Sequence, residues 1–170
     1  MNVVIREIEM DETEIEMVKE FLFDQINKEY HIGPTEKFHY DIFGLEQYYI
    51  NPTKSNFFIA FEGDKIVATI GIREYDKDFE FFRGIYSRED TASIWRLMVD
   101  RNYRRKGIAR LLVDAAEDFA RDSGYDRIYL HTHRYLESGL PFWKYSGYEI
   151  TVEEDDYDET THMVKVLRNK

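Results

Sequence analysis

The sequence predicts an α/β domain of the α+β kind, with helices flanking a mixed sheet. Three observations carry that expectation. Short stretches alternate apolar with polar residues or run apolar for about five positions, as at Val3–Ile8, Phe57–Phe61 and Ile94–Val99. Two longer stretches repeat their apolar residues at helical spacing: Ile15, Val18, Leu22 and Ile26, then Ile108, Leu111, Leu112, Ala115 and Phe119. Turn residues such as Gly63-Asp64, Asn51-Pro52 and Gly124 separate these stretches.

Each element has its own warrant. Val3 to Ile8 is a strand. Asp11 followed by Glu14 supplies a cap and first-turn charge for the first helix. Residues 27–40 read as irregular, broken at Gly33-Pro34, and a shorter helix follows over Ile42–Ile50. Phe57–Phe61 and Ile66–Tyr75 form a hairpin across Glu62-Gly63-Asp64-Lys65, whereas 76–92 is ambiguous. A strand at Ile94–Val99 leads through a basic turn into a helix ending near Ser123, with Asp114, Glu117, Asp118 and Arg121 facing out and Gly124 as its stop. Arg127–His133 is a strand and Ser138–Ser146 a short helix with Pro141 in its first turn. Strands over 148–153 and 160–167 close the chain. The order is β-α-α-β-β-β-α-β-α-β-β.

At 170 residues, 43% hydrophobic and 34% charged, a single folded domain over 1–170 is expected. The absence of cysteine excludes disulfides, zinc–thiolate sites and a cysteinyl acyl-enzyme. Acidic residues from Glu7 onward argue against a signal peptide, and no apolar run reaches membrane-spanning length, so a cytoplasmic protein without membrane partners is expected. A net charge of −11 argues against a nucleic-acid partner.

Against that acidic background, Arg101, Arg104, Arg105, Lys106 and Arg110 crowd into ten residues between a strand and a helix start. The first amides of a helix lack helical partners and sit at the positive end of its dipole, so such a turn can hold phosphate. Gly107 and Ala109 keep side chains small where oxygens would approach the main chain. A P-loop would need a second glycine and a Lys-Ser/Thr pair, and a dinucleotide fingerprint needs G-x-G-x-x-G; neither is present.

What remains, Arg104-Arg105-Lys106-Gly107-Ile108-Ala109, fits R/Q-x-x-G-x-G/A and resembles the acetyl-coenzyme-A (acetyl-CoA) signature of the GNAT family of N-acetyltransferases. Ile128–Thr132 followed by Pro141–Tyr148 is similar to that family's later region, with Tyr148 in place of a Phe. The resemblance covers nearly the whole chain and is most specific over 94–149. It implies a mostly antiparallel sheet that splays between its two central strands, 94–99 and 127–133. It also implies pantetheine paired to the backbone of Leu97 and Val99, an oxyanion donor near Met98, and a diphosphate on Arg104, Arg105, Lys106, Gly107, Ile108, Ala109 and Arg110.

The implied reaction is acetyl transfer from acetyl-CoA, a co-substrate, to an amine acceptor by direct attack. A lysine-like amine has a pKa of about 10.4 and must lose a proton first. His131 and His133 share one face of a strand and are the candidate bases; they also read as packed or surface histidines, or as a weak His-x-His metal site lacking a third ligand. The expectation is no metal. The strand at 94–99 holds no carboxylate of the kind the family often uses.

Trp143 stands where the family often has a tyrosine that protonates the departing thiolate. An indole N–H has no useful acidity, but a thiol with a pKa of about 8.5 can leave unassisted. Trp143 then packs on pantetheine or on the core. Glu153–Glu159, with six carboxylates in seven residues, reads as a solvated turn or as a lure for a cationic acceptor. A CoA-binding sensor without turnover, and a binder of another phosphorylated ligand, are the rival functions. Monomer and homodimer both remain open.

Overall fold

The computed structural model describes residues 2–167. Its elements follow the predicted order: β1 (Val3–Glu7), α1 (Glu12–Tyr30), α2 (Glu36–Phe43), β2 (Asn56–Glu62), β3 (Lys65–Glu74), β4 (Thr91–Val99), α3 (Ile108–Asp122), β5 (Arg127–His133), α4 (Gly139–Tyr145), β6 (Glu149–Glu153) and β7 (Thr160–Val166). The sheet runs β1-β2-β3-β4-β5-β7-β6. β1–β2, β2–β3, β5–β7 and β6–β7 pair antiparallel. β4 and β5 pair in parallel over Thr91↔Arg127, Ala92↔Ile128 and Ser93↔Tyr129. The mixed, mostly antiparallel sheet with flanking helices is the predicted class. Among the described residues no helix is long and apolar enough to cross a membrane.

The chain forms two compact units, one up to Arg73 with Trp95–Ala116, the other Glu74–Ile94 with Glu117 onward. In the first, Ile15, Val18, Leu22 and Ile26 of α1 are buried with Ile42, Leu45, Tyr49, Phe57 and Ile59. Asp11 caps α1 by accepting from Glu14 N at 3.1 Å. Glu14 is itself buried and paired to Arg6, which holds its carboxyl below the usual range.

Two helical boundaries differ from expectation. α1 runs on through 27–30 and stops at His31, whose left-handed backbone (φ 58) lets its N–H reach Asn27 O at 2.8 Å. α2 begins at Glu36, earlier than Ile42, and bends at His39. There the imidazole Nδ1 accepts from Thr35 N at 2.9 Å, and a π-helical turn over Glu46–Ile50 follows.

The buried face of α3 also differs. Leu111 is 54% exposed, while Ile108, Leu112, Val113, Ala116 and Ala120 are buried. In the second unit Glu117 is buried rather than outward, because Lys165 Nζ donates to it at 2.9 Å and Tyr148 Oη at 3.1 Å. A carboxylate with two such donors can leave water. Residues 76–92, ambiguous in sequence, carry a short 3₁₀ turn at Glu80–Phe82 and the start of β4. Phe82 packs there with Tyr75 and Tyr129.

Candidate functional site

The basic turn is built from the end of β4 outward. Asp100 N–H donates to Val67 O at 2.9 Å, and the Asp100 side chain accepts from Asn102 N at 2.9 Å, so the chain leaves the strand in a short 3₁₀ turn. Tyr103 Oη donates to Glu62 at 2.8 Å and anchors that turn to β2. Arg104 folds back, giving Nε to Val99 O at 3.0 Å and an ion pair to Glu29 at 3.4 Å. Lys106 Nζ lies 5.6 Å from the Tyr103 ring centre.

Two left-handed residues then aim the helix. Arg105 has φ 60 and Gly107 φ 83. Beyond Gly107 the first helical bond is Leu111 N–H to Gly107 O, at 3.2 Å. The amides of Ile108, Ala109 and Arg110 therefore lie outside the helical ladder, at its positive end. Apart from Gly107 and its two chain neighbours, no atom of the described residues comes within 4 Å of where a Gly107 Cβ would stand. Arg110 is half-exposed and pairs with Asp114 at 3.3 Å. Open space beside Gly107 and three amides outside the helical ladder are the local geometry an anion needs, with Arg105, Lys106 and Arg110 adjacent in sequence.

Upstream, Leu97, Met98 and Val99 are part-buried, with Met98 packed against the first unit's core. Arg96 interrupts this strand with a left-handed backbone, φ 53, a conformation non-glycine residues seldom take. Its guanidinium forks onto the fully buried Asp41 of α2, Nε to Oδ2 at 3.0 Å and Nη2 to Oδ1 at 2.6 Å. Tyr49 Oη donates to the same carboxylate at 2.6 Å, and Arg96 Nη2 also reaches Phe38 O at 2.8 Å. Burial pushes the Asp41 carboxyl up, but the Arg96 hydrogen bonds outweigh it and hold it below its ordinary value. Burial lowers His39 beside this pair, with Arg96 adding to the effect. The sequence contained no signal for the Asp41–Arg96 fork, which joins residues 55 apart.

The second unit holds the histidines. His131 is exposed and lies opposite His162 in the β5–β7 register. The His133 ring lies 5.8 Å from that of His131 and stacks on Tyr135 at 5.4 Å. His133 Nδ1 is 2.8 Å from Asp158 O. A carbonyl only accepts, so Nδ1 carries the proton and the lone pair of the neutral ring sits on Nε2. That orientation is what a general base requires.

His162, which no sequence pattern singled out, is fully buried between two partners. Its Nε2 is 2.7 Å from Glu154 Oε2 and its Nδ1 2.7 Å from Tyr129 Oη. Burial drives the Tyr129 phenol far above its ordinary value, which keeps it a donor. Trp143 is 6% exposed and sits edge-on to Tyr148 at 5.1 Å, whereas Tyr145 is 87% exposed. Among the described residues no three His, Cys, Asp or Glu are grouped to hold a metal ion. Leu97 to Arg110 thus fall in the first unit and His131, His133 and Trp143 in the second, where His131 and His133 are neighbours and Trp143 packs on Phe142 and Tyr148.

The acetyltransferase (GNAT) family pattern matches residues 16–148. Human N-acetyltransferase 8 is 29% identical over 111 residues, 65% of this chain and 46% of that protein. The match spans 29% to 49% of the length of such curated relatives. An acetyltransferase from Streptococcus agalactiae shares the fold with a TM-score of 0.76, covering 97% of this chain and 98% of that one at 24% identity. An N-acetyltransferase from Thermoplasma acidophilum, solved in complex with coenzyme A, gives a TM-score of 0.69 over 98% of this chain and 99% of that one at 19% identity.

Proposed function

Because the chain belongs to the acetyltransferase (GNAT) family, we propose that it moves an acetyl group from acetyl-CoA to a primary amine of a small molecule or peptide. The observation that carries this reading is the α3 start: a left-handed Gly107 with clear space above it, followed by the three amides of Ile108 to Arg110. A coenzyme A complex in a structural neighbour supports the choice of ligand. Arg104, Arg105, Lys106 and Arg110 supply the cations that a diphosphate needs. A cytoplasmic setting belongs to the same proposal.

In the proposed reaction the backbone of Leu97 and Val99 pairs with the pantetheine arm. An amide near Met98 donates to the thioester oxygen as it gains charge. His133 Nε2, oriented by the Asp158 carbonyl, takes the proton from the ammonium form of the acceptor; His131 beside it is the alternative base. The neutral amine then bonds to the carbonyl carbon, the C–S bond breaks to release the CoA thiolate, and the second proton of the former amine nitrogen passes to that thiolate, giving the amide and free CoA thiol. That thiolate needs no acid from Trp143, because a thiol leaves unassisted.

One second reading has a specific observation behind it. An indole stands where a proton donor is expected, and β4 carries no carboxylate, as suits a domain that binds coenzyme A without turning it over. Thermal shift with acetyl-CoA against ATP and NAD, together with thiol release across polyamines, amino acids, aminoglycosides and peptide N-termini, decides between them. Selective stabilisation with release for one acceptor class is the expected result. Stabilisation without release from any acceptor would favour the second reading.

A further inference from the structure

We propose that Asp41 is a positioning residue for the cofactor strand: its fork to Arg96 holds the left-handed kink that aims Leu97, Met98 and Val99. The inference rests on the reading of β4 as the strand that receives the thioester carrier. Arg96 sits inside a β-strand at φ 53 with a full side chain, so something must hold it there. Two sets of contacts do so. Thr69 Oγ1 donates to Arg96 O at 2.9 Å, fixing the peptide just past the kink. On the other side the guanidinium is committed to the helix above, through both Asp41 oxygens and the Phe38 carbonyl.

The kink sets the direction of the rest of the strand. Successive residues of a strand point to opposite faces, so one residue out of extended geometry exchanges the faces of everything downstream. Were Arg96 to relax to negative φ, the Leu97 and Val99 amides would turn away from the side they now present. Asp41 is suited to prevent this. It is 0% exposed, it accepts from Tyr49 as well as Arg96, and it lies in α2 rather than in the strand. The fork also ties Phe38, next to the α2 bend, to the strand that would hold the thioester.

Two variants test the inference, Asp41→Asn and Arg96→Gly, the second permitting positive φ without a guanidinium. Two measurements are made: amide hydrogen exchange at Leu97–Val99 against the core amides of Phe57–Ala60, and calorimetric affinity for acetyl-CoA. Asp41→Asn is expected to speed exchange at Leu97–Val99 alone and to weaken acetyl-CoA about tenfold. Arg96→Gly should do the same if Asp41→Asn fails to fold. Exchange that rises evenly across the first unit, or stays at wild-type rates in either folded variant, overturns the proposal. A wild-type protein that does not bind acetyl-CoA would sink the functional reading separately, and the exchange comparison would still decide the role of Asp41.

Discussion

The turn after β4 and the outer end of β5 prepare polar groups for chemistry in opposite ways. At the turn the main chain is the device: Arg105 and Gly107 adopt left-handed conformations, and the amides of Ile108 to Arg110 stand ahead of the first helical bond. At β5 side chains are the device. His133 is turned by a single carbonyl, and His162 is clamped between Glu154 and Tyr129. The difference shows in what each tolerates. Backbone donors survive most substitutions but not a change in φ, whereas an oriented imidazole is lost with one side chain. The proposed ligand site at the turn is therefore expected to be sensitive at glycine, and the proposed proton transfer at β5 at histidine.

Replacing His133 with Ala breaks the side-chain half of this contrast. Turnover should fall by about 100-fold or more, the usual contribution of a general base, with acetyl-CoA affinity unchanged. The loss should be steepest at low pH, where amine deprotonation is hardest. Steady-state kinetics between about pH 6 and about pH 9 check it, and wild-type rates in both His133→Ala and His131→Ala would remove the histidines from the mechanism. Gly107→Val breaks the main-chain half. A non-glycine residue at φ 83 is strained by about 1–2 kcal/mol, and its branched side chain enters the clear space. Acetyl-CoA affinity by calorimetry should drop at least about tenfold, with the far-UV circular dichroism retained.

A smaller effect sharpens the comparison. Arg105→Ala and Lys106→Ala remove charge but leave every amide in place, so each should weaken acetyl-CoA only severalfold. That loss should shrink as salt is raised, because exposed cations are screened. The smallest effect is on acid stability. Asp41 folds with its carboxyl held below its ordinary value, so the unfolded chain takes up that proton first as pH falls. Its stabilisation is present above about pH 4 and fades below it. Urea midpoints between about pH 7 and about pH 3 should fall less steeply in Asp41→Asn than in wild type.

The element order and the glycine turn that opens α3 were legible in the sequence because both depend on near neighbours. Helical and strand periods, and a glycine behind a basic turn, are short-range signals. The features that were not legible depend on partners far along the chain. Glu117 turns inward because Lys165 and Tyr148 meet it, and α3 presents Leu112 and Val113 to the core while Leu111 is exposed. Arg96 looked like one polar residue in an apolar strand until α2 supplied Asp41. His162 sits in a strand whose alternation says nothing of Glu154 or Tyr129. His131 and His133 were legible as a shared face, but the Asp158 carbonyl that sets the His133 tautomer was not.

In the proposed reading the start of α3 holds a diphosphate through its main chain. A crystal structure of the protein grown with acetyl-CoA tests it most directly. Diphosphate oxygens are expected within hydrogen-bonding distance of the Ile108, Ala109 and Arg110 amides. A diphosphate bound elsewhere, or no bound acetyl-CoA at saturating concentration, would contradict it.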